Sequence, residues 1–132
     1  MKNTLQLVLK GAPRTKKNSQ RLVVQGPRWM IIPSAAYRDY EAAAGYQITC
    51  KGLRIDYAVN VKCIYYMPTR RRVDLVNLLE ATCDILVKYG VIADDNSNIV
   101  ASHDGSRVCY DKENPRVEIT IEEIQTDAER DI

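Results

Sequence analysis

The chain has 132 residues, 45% of them hydrophobic and 27% charged, with a formal net charge of +2. That length carries one real core rather than two, and the composition is that of an ordinary globular domain. No apolar run is long enough to cross a bilayer, and the opening MKNTLQLVLKG lacks a secretory leader's apolar stretch and cleavage site, so a cytoplasmic protein with no membrane partner is expected.

The elements follow in chain order. Residues 4–10 alternate apolar and polar as a half-buried strand does, and the breaker-rich, basic stretch 11–21 is a loop. Residues 22–25 and 28–32 flank Gly26-Pro27 as a hairpin. Ser34 can N-cap a helix reaching about Ile48, with Tyr37, Tyr40, Ala44 and Ile48 on one side. The strongest strand is 57–67, where Tyr57, Val59, Val61, Cys63, Tyr65 and Met67 share a face and Pro68 ends it.

A second helix is expected from Leu75 to Tyr89, stopped by Gly90. Residues 98–103 and 106–110 are short strands around Asp104-Gly105, which reads as a hairpin turn, and YDKENPR (110–116) turns into a last strand over 116–124. The result is one α/β (α+β) domain over residues 1–124, a mixed sheet with two main helices, followed by a short acidic tail, 125–132, expected to be poorly ordered.

Charge is distributed unevenly. No acid precedes Asp39, whereas eight cations do: Lys2, Lys10, Arg14, Lys16, Lys17, Arg21, Arg28 and Arg38. A basic front suits a polyanionic partner. The four cysteines stand 13, 20 and 26 apart, without the short spacings of a zinc site, and without a secretory context they are expected to be reduced. His103, the one histidine, reads as a surface or edge residue. Asp104 beside it is an outside ligand candidate, and Trp29 and the eight tyrosines are assigned to the core and to an interface between copies.

The densest chemistry lies in 70–96, RRRVDLVNLLEATCDILVKYGVIADDN. Arg70, Arg71 and Arg72 precede Asp74, Glu80, Asp84 and the pair Asp94-Asp95. Carboxylates beside arginines are what metal-assisted chemistry on a phosphate backbone requires. On the second helix Leu75, Leu78, Leu79, Thr82, Ile85, Leu86 and Tyr89 form one arc, and Asn77, Glu80, Asp84 and Lys88 the other. Each acid also has an ordinary reading. Asp74 can N-cap the helix, Lys88 can balance Asp84 from four residues on, and Asp94-Asp95 can form a turn, or fold back onto the helix's N-terminal end.

These residues resemble the RusA-type Holliday-junction resolvases. The family pattern has Asp-x-Asp-Asn at a helix start, a Lys four beyond the second Asp, an Asp later on the helix, then Gly and Asp-Asp. Asp74, Asn77, Asp84, Gly90 and Asp94-Asp95 match it, as do the Met67-Pro68 strand end, the arginines and the early basic loop. Val76 stands where the second Asp is expected and Glu80 where the Lys is.

The resemblance implies a homodimer that cuts a four-way DNA junction with Mg²⁺, or Mn²⁺ as a substitute, leaving 5′-phosphate and 3′-hydroxyl ends. It implies Asp74 and Asp95 as catalytic metal ligands, with Glu80 replacing the missing carboxylate and Asp94 and Asp84 nearby. Lys16, Lys17, Asn18, Arg21, Arg70–Arg72 and Asn77 are the expected DNA contacts, with Lys16, Lys17 or Lys88 standing in for the missing lysine. Two other readings use the same residues: a junction-binding protein without cleavage, and a phage protein-protein module with the acids as its docking surface.

Overall fold

The computed structural model describes residues 3–16, 20–25 and 28–124, with side chains outside 20–33. Lys17, Asn18, the Gly26-Pro27 turn and the 125–132 tail therefore lie outside the described residues, as do the side chains of Arg21 and Trp29. The elements are β1 (Thr4–Lys10), β2 (Gln20–Gln25), β3 (Arg28–Pro33), α1 (Ala35–Gln47), β4 (Val59–Met67), α2 (Leu75–Lys88), β5 (Val100–Ser102), β6 (Arg107–Tyr110) and β7 (Arg116–Glu123). β2 and β3 pair antiparallel as a separate two-stranded sheet, with Gln25 opposite Arg28, as the hairpin reading requires.

The main sheet is mixed. Its order is β1-β7-β4-β5, and β6 also pairs with β4. β7 runs antiparallel between β1 and β4, whereas β5 and β6 run parallel to β4. The inward residues of β4 (Val59, Val61, Cys63 and Tyr65) and of β7 (Val117, Ile119 and Ile121) are buried together with Leu78, Leu79, Ile85 and Leu86 of α2 and Ala44 of α1. Period-two burial on the strands meets the apolar arc of each helix, so one face of the sheet is covered and the site rides on the far side of α2.

Both helix ends form as the capping chemistry directs. Ser34 Oγ accepts from Tyr37 N at α1, and Asp74 Oδ1 accepts from Val76 N at 2.9 Å at α2. The C-terminus of α2 is a Schellman closure. Val91 N donates to Leu86 O and Gly90 N to Val87 O, with Gly90 at φ +70°. The turn that follows is clamped by 54–55, through Arg54 N to Gly90 O, Ile55 N to Val91 O and Ala93 N to Ile55 O. Gln47 ties α1 to β1 by accepting from Lys10 N and donating to Lys10 O.

Two expectations need correction. Strand β4 begins at Val59 rather than Tyr57. Asp104-Gly105 is not a hairpin turn, because β5 and β6 pair with β4 and run in the same direction. They are two halves of one edge strand, interrupted at 103–106, and side chains occupy β4's backbone groups across the interruption. Cys63 N donates to Ser106 Oγ, and His103 Nδ1 lies 2.8 Å from Val61 O, which fixes the proton on that nitrogen. Asn60 Oδ1 accepts from Ser102 Oγ and Asp104 N, while its Nδ2 donates to Asp104 O.

Replacing Asn60 by Ala removes all three of those bonds at once. At roughly 0.5–1.5 kcal/mol net for each, partly offset by water at this exposed edge, stability falls by about 2 kcal/mol. Urea unfolding measures the loss, and the Asp104 amide should exchange with solvent well ahead of those in β4.

Candidate metal and nucleic-acid site

The site is assembled by α2, by the loop after it and by the loop before β2. Asp84 lies in the third turn of α2, on the face turned away from the core. Its Oδ2 is 2.9 Å from Lys16 Nζ, so the ion pair joins the early basic loop to the helix. The expected Lys88–Asp84 bridge does not form. Lys88 binds Glu41 of α1 instead, because α1 crosses the C-terminal end of α2 and presents that carboxylate there. Tyr89 reinforces the crossing by donating its hydroxyl to Glu41 O.

The loop carrying the acid pair is braced from within. Asp94 Oδ1 accepts from Asp95 N at 2.7 Å, and its Oδ2 accepts from Asn96 Nδ2 at 3.0 Å. Asn96 in turn accepts from Asn98 N through its side chain and from Ile99 N and Val100 N through its carbonyl. These bonds hold the Asp94 carboxyl below the usual range, so it is a structural anchor of the loop.

Asp95 is shifted the other way. Partial desolvation raises its pKa first, then the hydrogen bond with Asp94 and the negative charges of Asp84 and Asp94. Both Asp84 and Asp95 also act on Cys83, whose thiol is pushed up to about 12, mainly by burial. Both carboxylates are thus within electrostatic reach of Cys83 on α2. Carboxylates that feel each other's negative charge are stabilised by a cation nearby. Removing one charge should relieve the other. In Asp84→Asn the Asp95 carboxyl titrates at lower pH than in the wild type, a downward shift readable by carboxyl-carbon NMR.

Tyr37 of α1 completes the group. It is 1% exposed, and its ring lies 5.8 Å from Lys16 Nζ. Its hydroxyl is buried with no hydrogen-bond partner among the described residues. Burial and then the charges of Glu41 and Asp84 push the phenol well above its ordinary pKa. Sequence reading placed Tyr37 in the core, as its helical spacing implies. Its link to Asp84 depends on how α1 crosses α2, which spacing does not encode.

The remaining candidates lie on α2, in the segment before it and in the edge strand. Asp74 is the N-cap of α2, its Oδ1 serving Val76 N and Asn77 N. Val76, two residues on, is 68% exposed, and Glu80 is exposed one turn beyond Val76. Asn77 is half-buried between them. Arg70, Arg71 and Arg72 are all exposed in the segment that leads into the helix, with the Arg70 guanidinium 4.1 Å from the Tyr110 ring centroid. Asp104 lies in the interrupted edge strand, bound through its backbone to Asn60. Among the described residues, no group of three or more His, Cys, Asp and Glu side chains is disposed to hold a metal ion.

The sequence matches a family of known proteins. A family model described as Endodeoxyribonuclease RusA matches residues 10–122, from the end of β1 almost to the end of β7. The chain belongs to the RusA endodeoxyribonuclease family. Within the RusA family it is similar to the crossover junction endodeoxyribonuclease RusA of Aquifex aeolicus (strain VF5), with 37% identity over 60 residues. That match takes in 44% of this chain and 48% of the relative, so it spans about half the relative's length. The RusA match therefore takes in both helices and the main sheet apart from most of β1.

The donor chemistry can be tested against a divalent cation. Asp84 and Asp95 offer hard oxygen ligands, and Mg²⁺ is commonly held by one or two carboxylates with water and substrate phosphates completing the shell. The chemistry of carboxylate oxygens fits that mode, whereas a cage built wholly from protein ligands is not present among the described residues.

Proposed function

We propose that this protein is a structure-selective endonuclease that resolves four-way DNA junctions by divalent-cation-assisted phosphodiester hydrolysis. The observation that carries the reading is the RusA family match across both helices, together with the Lys16–Asp84 pair that joins the early basic loop to α2. The cation would be Mg²⁺, with Mn²⁺ as a substitute, and it would be held by acids of α2 and of the loop after it, Asp95 among them. When bound, it activates water and neutralises charge on the phosphate oxygens. Asp94 keeps the loop in place.

The protein's own side chains do the rest. Arg71 and Arg72 bind phosphates ahead of α2, and Arg70 does so from its seat on Tyr110. Lys16, with Lys17 and Asn18 after it and Arg21 of β2, supplies further phosphate contacts. Such contacts fix register and give a salt-sensitive affinity without base specificity. Junction selectivity comes from a homodimer whose two-fold axis matches the near two-fold symmetry of the substrate.

Strand-mapped cleavage of a synthetic four-way junction, with and without Mg²⁺, tests the proposal. Paired nicks in opposing strands that appear only with the metal are the expected result. Salt-sensitive junction binding without any nick would make the protein a junction binder in which Val76 and Glu80 mark the loss of catalysis. Asp74→Asn and Glu80→Gln belong in the same assay, because both acids project from the helix that carries Asp84.

A further inference from the structure

Where β4 ends, two arginines lie on two tyrosine rings. The Arg116 guanidinium is 3.9 Å from the Tyr66 ring centroid, and that of Arg70 is 4.1 Å from the Tyr110 centroid. The two stacks differ in charge. Arg116 is closed off by Asp111 and Glu118, each at 2.9 Å. Arg70 is exposed, and among the described residues no acid pairs with it. Asp111, next to Tyr110, would be the ready counter-ion, but Arg116 has taken it.

The stacks also differ in place. Successive strand residues face opposite sides of a sheet, so Tyr66 and Met67 point apart. Tyr110 is level with Met67 in the parallel register, and Asp111 N donates to Met67 O just beyond. Met67 packs against the core, so Tyr110 stands on the side of the sheet that carries α2. Its ring there meets the segment that runs from Pro68 to the Asp74 cap.

We propose that Tyr110 is a positioning residue: its ring holds the uncompensated Arg70 guanidinium at the entrance to α2, ready for a DNA phosphate. This deepens the nuclease reading and rests on its DNA contacts. A guanidinium lying flat on a ring keeps its in-plane N–H groups turned outward, where they can grip phosphate oxygens in pairs. Among the described residues no ring carries Arg71 or Arg72. Those two give up rotamer freedom when DNA arrives, whereas Arg70 gave it up on folding. Tyr110 thus acts through Arg70 and needs no DNA contact of its own.

A double-mutant cycle tests the role, read by fluorescence anisotropy of a short unbranched duplex that offers phosphates but no junction. Tyr110→Leu should weaken duplex binding about two- to fivefold, the ratio that matches an exposed cation–π contact. Tyr110→Phe keeps the ring and should bind as the wild type does. Arg70→Gln should weaken binding and lower its salt dependence by about one phosphate contact. In that background Tyr110→Leu should add nothing, because the group it positions is gone. In the free protein the Arg70 side-chain protons should resonate upfield, shielded by the ring. They should lose that shift in Tyr110→Leu and keep it in Tyr110→Phe.

Unchanged duplex affinity in a folded Tyr110→Leu would overturn the proposal. So would an equal loss in the wild-type and Arg70→Gln backgrounds, since Tyr110 would then act on DNA or on the fold without Arg70. Junction cleavage by the same proteins keeps the two ideas apart. Cleavage by the wild type with additive losses in the cycle rejects the positioning role and keeps the nuclease. A coupled cycle without cleavage keeps the positioning role and rejects the nuclease.

Discussion

Asp95→Asn should abolish most junction cleavage while leaving the protein folded and able to bind DNA. A cation acting on a phosphoryl oxygen supplies several kcal/mol of transition-state stabilisation. Losing about 4 kcal/mol of it corresponds to roughly a 10³-fold fall in rate. The side chain is exposed at the surface of a loop whose bracing bonds are made by Asp94 and Asn96, so the substitution removes charge without removing structure.

Junction affinity without metal should hold or rise slightly, since a negative charge leaves a surface that meets a polyanion. Single-turnover cleavage and a gel-shift titration, run on the same preparation, separate these effects. Asp94→Asn should instead act through the loop, lowering thermal stability along with activity. Full activity in Asp95→Asn would remove this carboxylate from the chemistry.

The second large effect is on stability. Leu86 is wholly buried in α2, under the turn that closes the helix. Leu86→Ala removes three buried carbons and leaves a cavity that the clamp from 54–55 prevents from collapsing. The cost is expected near the middle of the ~2–5 kcal/mol range for such changes. Against a total of ~5–15 kcal/mol, that is a large share. Denaturant unfolding should show a lower midpoint with an unchanged slope, because the surface exposed on unfolding is the same. A change below about 1 kcal/mol would mean that α2 is not anchored as its burial indicates.

Most of the fold was legible in the residues. Alternation in β4 and β7, the Ser34 and Asp74 caps and Gly90 each specify local geometry, and each forms as its chemistry directs. The error at Asp104-Gly105 has a definite cause. Turn residues report that the chain bends, but whether two flanking strands pair with each other or with a third strand is decided by long-range partners. Here Asn60, His103 and Ser106 supply those partners, and none of them carries a signature in isolation.

The site divides in the same way. The acids of α2 and its following loop stood out by their concentration beside arginines. The partner of Asp84 did not, because Lys88 at the favoured helical spacing was drawn off by Glu41 of another helix and Lys16 arrived from 68 positions earlier. Helix-surface rules describe neighbours on one element. They are silent on what a crossing helix or a loop brings.

The interrupted edge strand has a bearing on how the protein survives in a crowded solution. An unbroken strand at the rim of a sheet is a template on which another chain can build. Here the rim beyond β4 is offered in two pieces of three and four residues, β5 and β6, separated by a loop whose polar groups are already engaged. Neither piece is long enough to recruit a foreign strand firmly. The Asn60 bonds that hold the loop in place therefore also keep this side of the sheet from seeding aggregates.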